Sequence, residues 1–127
     1  MDLALWIAAG LLAAVALTGG ITKTFVPVER LAAQHGGGWT ADVPLPFVKT
    51  LGVLELLAAA GLILPAVTGI APTLVPVTAV CWVLLMMGAM VTHGRRGEYP
   101  LVLLNVAYLA LAAFVAWGRL GPAPFVG

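Results

Sequence analysis

A chain of 127 residues that is 62% hydrophobic and only 9% charged lacks the polar surface of a water-soluble domain, in which about a quarter of residues carry charge. Its mean hydropathy of +1.10, and a length that accommodates four spans of roughly 20 residues with short connections, predict a single integral membrane domain over residues 1–127 with the lipid bilayer as its main partner. A net charge of +1 excludes the basic face of a nucleic-acid binder, and one cysteine, Cys81, excludes an internal disulfide, a CxxC redox pair and a thiolate metal cluster.

The first apolar run has no charge between Asp2 and Lys23 and reads as helix 1 over about 3–23. It exceeds the core of a signal peptide and follows an acidic rather than a basic residue, so it is expected to be a retained span. Ala8, Ala9, Gly10, Ala13, Ala14, Gly19 and Gly20 supply the small residues that let membrane helices approach closely. A surface connection follows over about 24–46, with Pro27, a VERLAAQ stretch of helical character, the Gly36-Gly37-Gly38 break, Trp39, Pro44 and Pro46. Residues 47–64 read as helix 2, stopped by Pro65. Residues 73–92 read as helix 3, with Pro76 in its first turn and a polar turn from His93 to Glu98. Helix 4 starts near Pro100, where a missing N–H is harmless, and continues to Trp117, before Arg119 and a short tail over 120–127. The predicted fold is all-α: a four-transmembrane-helix bundle with an extended, partly helical connection between helices 1 and 2.

With four spans, the connections after helices 1 and 3 share one face, and Lys23, Arg30, Lys49, Arg95 and Arg96 sit at or near it while Arg119 lies opposite. The positive-inside rule then predicts that the loops at 24–46 and 93–98 are cytoplasmic and both termini outside.

Glu55 lies eight positions into helix 2, about 12 Å below its end. A charge at that depth costs about 2.5 kcal/mol or more, so it is expected to face the protein interior and to find a partner. Lys23 ends helix 1, His93 ends helix 3 and Asn105 lies about seven residues into helix 4, all measured from the same face. Trp82, Met86, Ala89 and His93 recur at helical spacing, and helix 4 offers Asn105 with Tyr108 and Ala112. These faces meeting around Glu55 would make an apolar pocket with a few polar groups at its cytoplasmic mouth, suited to an isoprenoid quinone or similar lipid. The candidate ligand-binding residues are therefore Lys23, Glu55, Trp82, Met86, His93, Asn105 and Tyr108.

Each has a plainer reading. Lys23 and Glu55 equally form an ion pair that only locks two helices. His93 caps the last carbonyls of helix 3, Asn105 acts as interhelical polar glue, and Met86, Met87 and Met90 pack. Lys49 snorkels to the surface, Arg95 and Arg96 hold topology, Glu98 is a solvated loop residue or a charge at the start of helix 4, and Trp39 and Trp117 anchor at the interface. The two histidines, His35 in the connection and His93 at a helix end, are misplaced for a bis-histidine haem. Glu55, His93 and Glu98 have metal-ligand chemistry without diagnostic spacing, and no metal site is expected.

LTGGITK at 17–23, LGVLELLAAAGLILP at 51–65, the Met-rich third helix ending MVTHGRRGE at 90–98, and the asparagine-bearing fourth helix together resemble the DoxX-like family of small four-helix membrane proteins over nearly the whole chain. The resemblance maps the family's polar positions onto Lys23, Glu55 and His93. It implies a multi-pass protein of a bacterial cell membrane, and an association with membrane redox complexes, quinone-coupled sulfur oxidation or oxidative-stress defence. Lacking a second cysteine, the chain would depend on a bound cofactor or a partner for electron transfer.

Three functions are thereby expected to compete. The first is a redox-associated subunit binding a quinone-like lipid at the Glu55 pocket, working with membrane redox partner proteins or as a homo-oligomer. The second is a non-enzymatic scaffold or assembly factor. The third is a small proton-coupled transporter, ranked lowest because helix 1 has no interior charge.

Overall fold

The first apolar run forms α1 (Asp2–Phe25), whose 24 residues extend about 36 Å, enough to cross a hydrocarbon layer of about 30 Å. In the computed structural model, which describes residues 1–125, three further helices reach comparable lengths: α3 (Leu45–Thr68), α4 (Leu74–Arg95) and α5 (Tyr99–Leu120). All four are long and apolar enough to span a membrane. Between α1 and α3 lie the short α2 (Val28–Ala33) and a 3-10 helix, Gly38–Asp42, which are the partly helical connection the sequence predicts. The tail expected over 120–127 starts one residue later, and its last two residues lie outside those described.

The spans run alternately up and down, and neighbours pack α1 on α3, α3 on α4, α4 on α5 and α5 back on α1. Helical periodicity sets the buried stripes: Ala8, Leu12 and Ala16 on α1 meet Leu62 of α3, Val75, Ala79 and Trp82 of α4, and Ala112 and Val115 of α5 in one core. The outward stripe, with Leu3, Ile7, Leu11 and Ile21 on α1 and Leu84, Met87 and Val91 on α4, is exposed. In water that surface would be untenable, whereas acyl chains solvate it.

Glycine sets the closest crossing. A Cβ on Gly52 would lie 2.7 Å from the Thr24 backbone nitrogen and 3.0 Å from the Lys23 carbonyl carbon, so α1 and α3 touch backbone to backbone just beyond the Gly19-Gly20 end of the small-residue run on α1.

Pro65 does not stop the second span as expected. The helix passes through this buried proline and ends three residues later, where Gly69 takes the left-handed conformation (φ 72°) and its N–H bonds to the Pro65 carbonyl. A proline removes one helical N–H and crowds the carbonyl four residues earlier. That position is Gly61, and in a membrane bundle the helical alternative to exposing backbone in lipid is strongly favoured.

Lys49, expected to snorkel to the surface, instead donates to the Thr24 and Val26 carbonyls at 3.0 and 3.3 Å. It caps the C-terminal end of α1, where a cation complements the helix dipole. At the other end of the bundle Arg119 is 5% exposed. It pairs with Asp2 at 2.7 Å, donates to the Ala123 carbonyl at 3.0 Å and sits 3.9 Å over the Phe125 ring, tying the first helix to the tail.

Candidate functional site

Glu55 lies ten positions after Leu45, the first residue of α3, which sets it about 15 Å along the helix rather than 12 Å, because α3 starts two residues earlier than the sequence predicts. Its side chain is 7% exposed and lies 2.9 Å, through Oε2, from the Lys23 ammonium on the last turn of α1. Lys23 Nζ also donates to Oε1 at 3.3 Å. Gly19, one turn before Lys23, makes room: a Cβ there would sit 2.8 Å from Oε1. Oε2 is close to the ammonium but off the direction of a hydrogen bond. The attraction depends on distance, so the ammonium partners both carboxylate oxygens.

His93 is on the last turn of α4 and buried. Its ring does not cap the helix carbonyls; Nδ1 lies 2.9 Å from Glu98 Oε1. Glu98 is the N-cap residue of α5, so the expected N-terminal charge of that helix is also the partner of the histidine. Arg96 Nε donates to the same oxygen at 3.2 Å, and Arg96 Nη1 pairs with Asp42 of the 3-10 helix. The hydrogen bond from His93, ahead of the adjacent Arg96 charge, holds the Glu98 carboxyl below the ordinary glutamate value of 4.5. A continuous polar chain thus runs from His93 to the connection.

Trp82, Met86 and Asn105 are 2%, 6% and 9% exposed. The Asn105 amide N–H points to the Met86 sulfur at 3.8 Å, bridging α5 to α4. Two polar atoms here have no partner: Trp82 Nε1 and Asn105 Oδ1. The buried stripe of Trp82, Met86 and His93 on α4, with Asn105 and half-buried Tyr108 on α5, follows the predicted spacing.

All seven candidate residues line one cavity of about 500 Å³. Its walls also include residues the sequence analysis did not select, among them Phe47 and Leu51 of α3, Leu84 of α4, and Trp39 and Val43 of the connection. Trp39, expected as an interface anchor, is half-buried against the cavity, because the left-handed Gly36 (φ 79°) turns the chain back over the bundle end. Trp117 is 55% exposed, a position suited to an interfacial anchor. Phe47 and Leu84, both about half or more exposed, form a rim between α3 and α4. These helices touch further along, where a Cβ on Gly61 would meet Thr78 Oγ1, and they leave the cavity between them toward the other end.

Among the described residues, no three His, Cys, Asp or Glu side chains gather to hold a metal ion; Glu55 is committed to Lys23, and His93 to Glu98. The arrangement offers instead a largely apolar chamber with an ion pair, a histidine, an amide and an indole around it.

Comparison with curated proteins and with solved structures gave no match. Residues 7–115 match the DoxX-like family, a span that holds α3 and α4 whole, most of α1 and α5, and every residue of the polar constellation, and the chain is a multi-pass membrane protein that belongs to the DoxX-like family.

Proposed function

We propose that this protein binds a lipophilic molecule with a polar, quinone-like head in the cavity between α3 and α4. The observation that carries this reading is the cavity itself, about 500 Å³ and lined by Lys23, Glu55, Trp82, Met86, His93, Asn105 and Tyr108. Its size falls within the range of small-molecule pockets, and its few polar groups among apolar walls have their usual form. The apolar rim of Phe47 and Leu84 gives a route from the bilayer, so the ligand arrives already dissolved in lipid. Lys23 and Asn105 hydrogen-bond the head, and Glu55 balances the ammonium. His93, with Nδ1 held by Glu98, exchanges a proton with the bundle end through that carboxylate. A role as a redox subunit adds to this reading where the bound lipid is a quinone. The excess of Lys and Arg at the cavity end supports placing that end in the cytoplasm.

The test is to purify the protein from its native membrane and analyse the extracted lipid. A quinone-like lipid enriched over bulk membrane, and lost in Glu55→Ala, is the expected result. No enriched lipid, or enrichment indifferent to that substitution, defeats the proposal.

One observation favours a scaffold instead: Lys23 and Glu55 already neutralise each other at 2.9 Å. The double substitution Lys23→Glu with Glu55→Lys separates the two readings. A scaffold keeps its function when the pair is merely reversed, whereas a ligand site loses its donor geometry.

A further inference from the structure

We propose that the ligand of this cavity carries a neutral hydroxyl at its polar end, as the reduced quinol form of a quinone-like head does, rather than a carbonyl alone or a charged group. The inference rests on the reading that the cavity holds a lipophilic ligand, and it names the chemistry of that ligand's head.

The argument is an inventory of unfilled hydrogen-bonding positions. Two buried polar atoms on cavity-lining residues lack a partner, Trp82 Nε1 and Asn105 Oδ1, whereas Glu55 Oε2 lies 2.9 Å from the Lys23 ammonium. An indole N–H only donates, while an amide oxygen only accepts. The amide orientation has a physical basis, because the Met86 sulfur 3.8 Å from Asn105 Nδ2 accepts and does not donate, which leaves the oxygen as the free side. An occupant that answers both must accept from the indole and donate to the amide oxygen.

A hydroxyl does both. A carbonyl satisfies Trp82 and leaves the Asn105 oxygen buried and empty, and unsatisfied buried groups are strongly disfavoured. Charge discriminates further. The Lys23 and Glu55 pair is neutral as a unit, so a carboxylate or ammonium on the ligand would bring an uncompensated charge into the membrane interior, which is more unfavourable still.

The full-length protein in lipid nanodiscs can be titrated with three matched probes: a long-chain alkylphenol, its methyl ether, and the alkyl benzoquinone of the same chain. The ether keeps the acceptor and removes only the donor. The phenol is expected to bind about tenfold more tightly than either other probe, the effect of one hydrogen bond to a buried acceptor. Asn105→Leu should shrink that preference to about threefold or less by weakening phenol binding alone, and Trp82→Phe should weaken phenol and ether together. Equal binding of phenol and ether, or tighter binding of the quinone, overturns the hydroxyl assignment while leaving the cavity reading intact. Failure of all three probes to bind overturns the cavity reading and this inference with it. The wild-type preference is measured without any substitution, so a misfolded variant leaves the outcome decidable.

Discussion

Replacing Gly52 by alanine should destabilise the bundle even though alanine is the better helix former. On an open helix face the exchange gains roughly 0.8–1 kcal/mol of helix propensity. At Gly52 the new Cβ would meet Thr24 Oγ1, the Thr24 nitrogen at 2.7 Å and the Lys23 carbonyl carbon at 3.0 Å. Two of these atoms are backbone, so no rotamer change relieves the clash and α1 and α3 must separate by about half an ångström or more. Overpacking of this kind costs about 1–3 kcal/mol. The separation also strains the Lys49 bonds to Thr24 and Val26 and the Lys23–Glu55 pair, all made across the same crossing. The net expectation is a loss of about 1–2 kcal/mol once propensity is offset. Gly10 is the control: a Cβ there meets nothing within 4 Å, and Gly10→Ala should be neutral or stabilising. Thermal unfolding in a mild detergent, with both variants measured side by side, decides the matter. Gly52→Ala matching Gly10→Ala would show that the two helices are not in backbone contact.

Three other outcomes follow from the charged groups. Lys23→Met leaves Glu55 without its partner and should destabilise the protein by about 3–5 kcal/mol, whereas Lys23→Met combined with Glu55→Leu should recover most of that loss in the same unfolding assay. The depressed Glu98 carboxyl contributes stability above its ordinary value of 4.5 and loses it as pH falls through the lower folded value; melting curves of wild type and Glu98→Gln should therefore differ at neutral pH and converge on acidification below 4.5. Arg96→Ala breaks the tie to Asp42, a surface pair worth about 0.2–1 kcal/mol. Hydrogen exchange at residues 38–42 should then rise by about two- to fivefold while the four spans stay protected.

The four spans were legible because each is a run of apolar residues bounded by charge or proline, and because period 3.6 survives even where both faces are greasy. Trp82, Met86 and His93 show this, aligned on one buried stripe of α4. Pro65 misled because the rule that proline ends helices assumes water is ready to take the freed carbonyl, and in lipid it is not. The site divides in the same way. Depth alone marked Glu55, and the last turn of α1 marked Lys23 as a cation within reach. Which oxygen His93 would bind depended on how α4 returns into α5, a tertiary fact; the pairing with Glu98 is five residues away in sequence but requires the left-handed Gly97 (φ 71°) to turn the carboxylate back. Trp39 and Asp42 were invisible as site neighbours because a connection carries no periodicity from which to read its docking.

The two ends of the bundle treat buried polarity differently, and the difference bears on function. At one end Arg119 is surrounded by Asp2, the Ala123 carbonyl and the Phe125 ring, as expected of a cation retained for structure. At the other, Trp82 Nε1 and Asn105 Oδ1 have no hydrogen bond, although both side chains are buried beside the same cavity. A purely structural polar cluster is stabilising only when its members satisfy one another, because each orphaned group forfeits about 1–3 kcal/mol of solvation. Replacing Trp82 by phenylalanine and Asn105 by leucine together should therefore raise the thermal stability of the ligand-free protein, since both orphans disappear at nearly constant volume, while abolishing retention of the lipophilic ligand. A double variant that is both less stable and equally able to retain ligand would mean that these atoms are structural and take no part in holding the ligand's head.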